Sequence, residues 1–230
     1  MSDAPADPAG MVPVRPEVGL GPWPGSWPVD DTGDLPGHLD PDLLEHGDRR
    51  NVVDSYRYWS QSAIVADLDT RRHDLHVGVE NWGHDFNIGS VIRTANAFNV
   101  AAFHIVGRRR WNRRGAMVTD RYQHEHHHRD IAGLVAWTTA ATGRGIPVIA
   151  VENTPEAAPL EQAVMPRSCL LLLGQEGSGL SDEALAAATQ VLSITQYGST
   201  RSINAAAAGA IAMHAWARQH LHGQRPDALG

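Results

Sequence analysis

Residues 170–180, LLLLGQEGSGL, constrain the fold of this chain more than any other stretch. The four leucines after Cys169 indicate a short strand that is buried on both faces, and such strands belong to parallel sheets covered by helices. The apolar run ends at Gly174, two more glycines follow, and Ser181 precedes an alanine-rich helix. A junction of this kind is where open α/β sheets bind ligands, although the pattern also fits a tight turn without a ligand.

Strand-like and helix-like segments alternate along most of the chain. Short apolar or alternating runs predict five strands, at 75–80, 101–106, 146–151, 169–173 and 191–195. Amphipathic or alanine-rich stretches predict four helices, at 88–98, 130–145, 181–190 and 202–220. Asn87 and Ser202 are the expected caps of two of them. This alternation predicts an α/β fold, with a mostly parallel sheet flanked by helices.

The two ends of the chain differ from the middle in composition. Residues 1–50 are rich in proline, glycine and aspartate, so we expect a partly disordered N-terminal tail. Trp23 and Trp27 in this tail either dock on the domain or a partner, or belong to a loosely ordered arm. The folded domain is expected over residues 51–222, and residues 223–230 form a short C-terminal tail.

Composition excludes several classes of function. All 19 basic residues are arginines, so mechanisms that need a lysine are excluded. The single cysteine excludes an internal disulfide and a cysteine-rich zinc site, and it suits a reducing cytoplasm. No apolar run reaches the roughly 18 residues of a membrane span, and no signal peptide is recognisable. The net charge of -7 argues against a globally basic nucleic-acid binder but leaves room for a local basic patch.

One such patch follows the second predicted strand. Five arginines surround a tryptophan in residues 107–115, GRRRWNRRG. Their mutual repulsion favours a polyanionic partner over a merely solvated loop, and the indole could stack on a base. The candidate RNA-binding residues are Arg108, Arg109, Arg110, Trp111, Arg113 and Arg114.

The histidine run HEHHH at 124–128 suggests a metal site, but its spacing does not support one. Consecutive side chains on a regular element cannot all face one point, and the HEXXH spacing is absent. We therefore expect no metal to be required.

Two polar residues stand in otherwise apolar helical stretches. Arg93 borders the apolar stripe of the helix that follows Asn87, and a solvated arginine is the ordinary interpretation. Asn204 lies in the first turn of the last helix, where a buried amide needs hydrogen-bond partners. It either makes a structural hydrogen bond or contacts a ligand in the neighbouring glycine loop.

Three stretches together resemble the motifs of one family, the SpoU/TrmH RNA ribose 2′-O-methyltransferases of the SPOUT class. They are NIGSVIRTANAF, LLLLGQEGSGL and ITQYGSTRSINAAAAGAI, and they occur in the family's order. The resemblance covers about residues 75–220. It implies a C-terminal trefoil knot, S-adenosylmethionine as cofactor, tRNA or rRNA as substrate, and a homodimer.

The resemblance also implies site residues, position by position. The cofactor site would be lined by Val151, Gly174, Glu176, Gly177, Ile194 and Ile203. The catalytic and supporting polar residues would be Asn87, Arg93, Glu176, Ser202 and Asn204.

The third stretch departs from the family pattern. The family usually reads Ile-Pro-Met where this chain has Ile194-Thr195-Gln196, and Asn99 stands where a glycine usually follows the first stretch.

Methyl transfer to a ribose 2′-hydroxyl is the function we infer. An RNA-binding module without catalysis stays open as the alternative. A nucleotide-binding oxidoreductase is a weaker one, because the glycine pattern is not G-x-G-x-x-G.

Overall fold

The computed structural model describes residues 19–81, 87–141, 143, 145–175 and 177–221. Its contacts divide the chain into two compact units, one ending at Tyr58 and the other beginning at Trp59. The second unit contains the sheet and all described candidate site residues. No helix among the described residues is long and apolar enough to cross a membrane.

The first unit is built around a buried carboxylate. Asp48 is fully buried and accepts hydrogen bonds from Arg50 Nη2 at 2.7 Å and from the Tyr58 backbone N at 3.0 Å. Burial opposes the ionisation of this carboxyl, but the hydrogen bonds outweigh it and hold the pKa of Asp48 below its usual value. Trp23 packs edge-on against Tyr58, whereas Trp27 is 42% exposed. A short helix, α1 (Pro41–His46), begins after the N-cap Asp40.

The second unit contains a seven-stranded parallel sheet. Its strands are β1 (His73–Asn81), β2 (Val100–Gly107), β3 (Glu125–His128), β4 (Val148–Val151), β5 (Ala158–Pro159), β6 (Cys169–Leu173) and β7 (Gln190–Ser193). They lie in the order β3-β2-β1-β6-β4-β7-β5, and all paired strands are parallel. The predicted α/β class with a mostly parallel sheet is confirmed.

Helices cover both faces of this sheet. They are α2 (Gln61–Asp69), α3 (Ile88–Ala97), α4 (Ile131–Ala141), α5 (Asp182–Ala187) and α6 (Ala205–His220). Strand β6 lies between β1 and β4, and its side chains alternate between two hydrophobic clusters. Leu171 and Leu173 pack with residues of α3 and α6, while Leu170 and Leu172 pack with residues of α4 and α5. The run of four leucines is therefore the centre of the core, as expected for a strand buried on both faces.

One α-helix and two strands of the second unit were not predicted. Helix α2 carries only a weak apolar stripe, with Ile64 as its one buried residue. Strand β3 consists of Glu125 and three histidines, a composition without the usual β-branched signal. Strand β5 has two residues and joins the sheet edge beside β7. Each of them depends on tertiary contacts that a local pattern does not contain.

The ends of the last two helices correct the expected boundaries. Helix α5 ends at Ala187, because Ala188 is extended. Helix α6 begins at Ala205 and not at Ser202, because Asn204 Oδ1 accepts the Ala206 and Ala207 amides at 3.0 and 3.2 Å. Asn204, rather than Ser202, is thus the N-cap. Helix α6 is also buried along one face only, and Ile211 is 43% exposed.

The structure accounts for one departure from the family pattern. Asn99 has φ = 46°, in the left-handed region where glycine is favoured and asparagine is the next best choice. Its side-chain amide donates to the Arg71 carbonyl at 3.0 Å. Asparagine can therefore occupy this glycine position with little strain.

Candidate active site

A cavity of about 790 Å³ lies at the carboxyl ends of β4, β6 and β7. Three loops form it, namely the segments that follow each of these strands. Parallel strands end at the same edge of a sheet, so the segments after them converge there. Its lining includes the described residues that we predicted for cofactor binding, together with two predicted polar residues: Val151, Gly174, Gly177, Ile194, Ser202, Ile203 and Asn204. Glu176, assigned to both sets, lies outside the described residues.

The loop after β6 closes on itself in a tight turn. Gln175 and Gly179 exchange two backbone hydrogen bonds, of 3.2 and 3.1 Å. A Cβ atom at Gly174 would overlap the backbone of Gly179 and Leu180. Gly177 and Gly179 have φ values of 95° and 70°, which other residues rarely adopt. These glycines shape the cavity wall by allowing close backbone packing.

Two carboxylates that the sequence analysis did not single out hold this loop in place. Glu80, 2% exposed at the end of β1, accepts the Ser181 backbone N at 2.7 Å and its Oγ at 2.8 Å. Glu152, in the loop after β4, accepts the Leu180 amide at 2.8 Å and lines the cavity. In the sequence, the available signal for Glu152 was its position, because it is an acidic residue directly after an apolar strand. Its partner, 28 residues further along, could not be read from the sequence.

Residues of the first and third motifs meet beside the cavity. Asn204 Nδ2 donates to Asn87 Oδ1 at 2.9 Å, across 117 residues of chain. Asn87 occupies the N-cap position of α3, but its side chain makes no capping bond and is directed to Asn204 instead. A small cleft lined by Asn87, Glu80, Gly174 and Ala205 adjoins this pair. The structure therefore brings together two of the predicted polar residues, in a contact that links α3 with α6.

Arg93 lies apart from this pair. Val91, Ile92 and Ala95 face the core, so Arg93 is on the exposed side of α3. It lines neither the cavity nor the adjoining cleft. Six residues of helix separate it from Asn87, a rise of about 9 Å along the helix axis.

The arginine-rich segment begins where β2 ends. Asn81 Nδ2 donates to the carbonyl oxygens of Arg108 and Arg110, at 2.7 and 3.2 Å, and so fixes the start of the segment. Arg108, Arg109 and Arg110 are exposed, and so is Arg114.

The packing of Trp111 and Arg113 does not leave the indole ring free to stack on a base. Trp111 is only 8% exposed and packs in the hydrophobic cluster beneath α3. The Arg113 guanidinium lies 4.7 Å from the centre of the indole ring, and it also pairs with Asp120 and Glu125. The Arg113 side chain is 58% exposed, but the indole and two carboxylates already engage it. We therefore keep Arg108, Arg109, Arg110 and Arg114 in the proposed RNA contact.

The histidines of HEHHH are separated by the alternation of β3. His126 and His128 stack on His104 of β2, with ring centres 5.2 Å apart, and Trp137 of α4 packs against them. His127 instead contacts the Gly107 carbonyl at 2.8 Å. Among the described residues, no group of three or more His, Cys, Asp or Glu side chains is arranged to hold a metal ion.

The inner histidines form a hydrogen-bonded row. His76 Nδ1 lies 3.1 Å from His104 Nε2, and His104 Nδ1 lies 2.9 Å from His128 Nε2. Burial, together with the neighbouring imidazoles, lowers the pKa of His104 to about 2 and that of His76 to about 4. The row is therefore neutral at physiological pH.

Fold and cavity define a class of α/β proteins in which three loops at the carboxyl edge of a parallel sheet enclose a cavity. Within that class, the SpoU rRNA Methylase family matches residues 74–214, and the chain belongs to this family.

A curated relative agrees with this assignment, and two solved structures share the fold. The tRNA (guanosine(18)-2'-O)-methyltransferase of Escherichia coli K12 is 30% identical over 155 residues, which are 66% of this chain and 66% of that enzyme. The A. aeolicus TrmH/SpoU tRNA modifying enzyme superposes with a TM-score of 0.59 at 21% identity, covering 69% of this chain and 81% of that one. The SpoU methyltransferase AviRb from Streptomyces viridochromogenes, in complex with AdoMet, gives 0.60 at 24% identity, covering 68% and 65%. The chain spans slightly less than two thirds of the E. coli enzyme.

Proposed function

We propose that this protein is an S-adenosylmethionine-dependent methyltransferase that acts on a ribose 2′-hydroxyl of tRNA. The observation that carries the proposal is the convergence of all three motifs on one place, where the Asn87–Asn204 hydrogen bond joins the first to the third beside the loop of the second. Transfer RNA is the preferred substrate because the E. coli relative is named for guanosine 18 of tRNA.

The residues around the cavity fit S-adenosylmethionine. A volume of about 790 Å³ falls within the range of small-molecule sites. Glycines and backbone atoms at Gly174 and Gly177 would admit an adenosyl group closely, and Val151, Ile194 and Ile203 offer apolar contacts. When bound, this cofactor supplies a methyl group that its sulfonium already activates. The protein then has to orient the acceptor and help its hydroxyl lose a proton.

Arg93 is proposed to hold a phosphate of the bound RNA. A guanidinium stays charged in proteins, so it is poorly suited to act as the base. It can instead bind the phosphate next to the target ribose and stabilise the negative charge that develops on the hydroxyl oxygen, while that phosphate shares the proton. The position of Arg93 on the exposed side of α3, outside the cavity, suits a contact with a polyanion better than one with the cofactor.

Asn87 and Asn204 are proposed to position the acceptor ribose. Asn204 already uses its side-chain oxygen to cap α6 and its amide to bind Asn87. The pair is therefore rigid and presents a fixed polar edge beside the cavity. Ser202 lines the cavity in the same segment, and we propose a polar contact from it to cofactor or ribose. Glu176 is proposed, on the family resemblance alone, as a polar residue of the cofactor site.

Three further properties are proposed on the same resemblance. The C-terminal segment is proposed to form a trefoil knot. The contacts of the loops after β4, β6 and β7 support it, since Asn153 Nδ2 donates to the Arg201 carbonyl at 3.2 Å and Glu152 accepts from Leu180. A homodimer is proposed, and the exposed Ile211 of α6 would suit an interface. The site of action is proposed to be the cytoplasm.

Calorimetric titration with S-adenosylmethionine separates this proposal from an RNA-binding module without catalysis. We expect saturable binding by the full chain, and competition by S-adenosylhomocysteine. Binding of tRNA without any heat from the cofactor would favour the module.

A further inference from the structure

Two apolar side chains project from the arginine-rich region. Met117 is 53% exposed and Val118 is 45% exposed. They form a turn between two short 3-10 helices, Arg113–Ala116 and Thr119–Tyr122. We call these two residues the apolar turn.

The backbone of the apolar turn is strained. Met117 has φ = 49° and Val118 has φ = 68°, so both are in the left-handed region. That region is uncommon for any residue except glycine, and for a β-branched residue such as valine it is a clear outlier. Strained, exposed apolar residues give a fold no stability of their own, and such strain is concentrated at functional sites.

The segments that flank the apolar turn are held firmly against α3, the helix that follows the N-cap Asn87. On one side, Gly89 is in such close contact with Gly115 that a Cβ atom on Gly89 would overlap the backbone of Gly115 and Ala116. On the other side, Gln123 Nε2 donates to Asn96 Oδ1 at 3.2 Å. Across the turn, the buried Thr119 hydroxyl donates to the Ala116 carbonyl at 2.6 Å. The position of the turn is thus fixed relative to the helix that carries Asn87 and Arg93.

The surroundings of the apolar turn are basic. Residues 108–121 contain six arginines and a single carboxylate, Asp120, which is 9% exposed and pairs with Arg113. The whole chain, in contrast, has a net charge of -7. An apolar tip inside a positive patch is complementary to a nucleic acid, whose phosphates bind the arginines and whose bases can take up the apolar side chains.

We propose that Met117 and Val118 form a wedge that inserts between bases of the RNA substrate and unstacks the nucleotide next to the target ribose. This inference rests on the proposed function. The target ribose has to enter the cavity for its 2′-hydroxyl to meet the cofactor, and a nucleotide that has left the stack is freer to do so. Proteins that open base steps use apolar wedges of this kind. Because the backbone of the wedge is already fixed, RNA binding does not carry the entropy cost of ordering it.

The test uses the full chain and a tRNA transcript that carries 2-aminopurine beside guanosine 18. Binding of the unchanged protein should raise the 2-aminopurine fluorescence as the base unstacks. In the double variant Met117→Ser/Val118→Ser, this rise should be lost and single-turnover methylation should slow by about tenfold or more, consistent with the loss of unstacking. RNA affinity and its salt dependence should change little, because the arginines remain. Val164→Ser is the control, since Val164 is 80% exposed and outside the site.

A second variant tests the meaning of the strain. Val118→Gly removes the side chain from a position with φ = 68°, so the melting temperature of this variant should rise by about 3 °C. The rise in 2-aminopurine fluorescence on RNA binding should become smaller. A lower melting temperature together with unchanged fluorescence would overturn the wedge.

Two other outcomes separate this inference from its competitors. If the double variant changes the sedimentation of the protein without RNA, the turn belongs to an interface between copies of this chain, and the wedge is contradicted. If the unchanged protein unstacks the RNA but transfers no methyl group, the proposed function fails and the wedge stands. Full fluorescence and methylation in the double variant would refute the wedge alone.

Discussion

At the scale of single residues, the proposed site combines a hydrogen-bonded polar pair with a separate cation. Asn87 and Asn204 bind each other directly, whereas Arg93 lies on the exposed side of α3. This separation implies different consequences for their loss. The pair should affect the placement of the acceptor, and the arginine should affect its phosphate and the charge of the transition state.

Replacing Arg93 should remove catalysis and leave cofactor binding intact. We expect Arg93→Ala to lower the rate of methyl transfer by about 100-fold or more, the loss typical of one charge-stabilising donor. S-adenosylmethionine affinity by calorimetry should stay within about twofold, because Arg93 does not line the cavity. Arg218→Ala, which changes an exposed arginine of α6, is the matched control. Full activity in Arg93→Ala would rule out the assigned role.

Gly174 offers a second test at this scale. In Gly174→Ala, the new methyl group would overlap the backbone of Gly179 and Leu180 and open the cavity wall. We expect the affinity for S-adenosylmethionine to fall by about tenfold or more and the free energy of unfolding to fall by about 2 kcal/mol. Gly198→Ala is the control, because nothing lies within 4 Å of the atom it adds. Equal cofactor affinities for the two variants would contradict the packing described for the glycine loop.

At the scale of elements, we propose that the segment after β2 supplies the electrostatic contact with RNA. Replacing Arg108, Arg109 and Arg110 with alanine should weaken tRNA binding. It should also lower the slope of log affinity against log salt by about 2 to 3, the release expected for three phosphate contacts. Filter binding at several salt concentrations measures this slope. A double replacement of the exposed Arg129 and Arg218 serves as the control. An unchanged slope in the triple variant would remove the segment from the RNA interface.

The sequence predicted elements where a local pattern was strong and missed them where tertiary contacts decide. Four leucines identified β6, and the apolar stripe of Ile88–Ala97 identified α3. The sequence did not predict strand β3, because its histidines are held by neighbours on β2 and α4. The cap of α6 was assigned to Ser202, since both Ser202 and Asn204 suit the role and only the fold decides between them.

The candidate site was predictable to a similar degree. The family resemblance links the glycine loop with the residues of the third motif, and both line one cavity. Their contact with a cofactor stays a prediction. The contacts of Glu80 and Glu152 with the loop after β6 could not be inferred, since they depend on how the strands lie beside one another. Trp111 looked like a base-stacking residue in the sequence, yet its burial depends on the packing beneath α3.

At the scale of the whole molecule, the row of buried histidines should make stability depend on pH. Burial lowers the pKa values of His76 and His104 to about 4 and about 2, whereas a histidine of the unfolded chain titrates near 6.5. Above pH of about 6.5, both states are neutral and the stability is full. As the pH falls below that value, the unfolded chain takes up protons that the folded row does not, so the free energy of unfolding decreases.

Denaturant titrations between neutral and acidic pH measure this effect. For His76 alone, the loss should reach about 3 kcal/mol between pH of about 6.5 and about 4. The nearby Asp74 partly offsets the shift of His76, while His126 and Trp137 pack on the row from β3 and α4. His214→Gln, at an exposed position of α6, is the control. A stability that stays constant over this pH interval would contradict the buried neutral row.

The central claim is methyl transfer to a ribose 2′-hydroxyl of tRNA, and one measurement tests it most directly. The full chain is incubated with unmodified tRNA transcripts and S-adenosylmethionine that carries a deuterated methyl group, and the digested nucleosides are then analysed by mass spectrometry. We predict a 2′-O-methylnucleoside with the deuterated methyl group on its ribose, absent from a parallel reaction with Arg93→Ala. Label on a base, or no label in any nucleoside although the cofactor binds, would contradict the account.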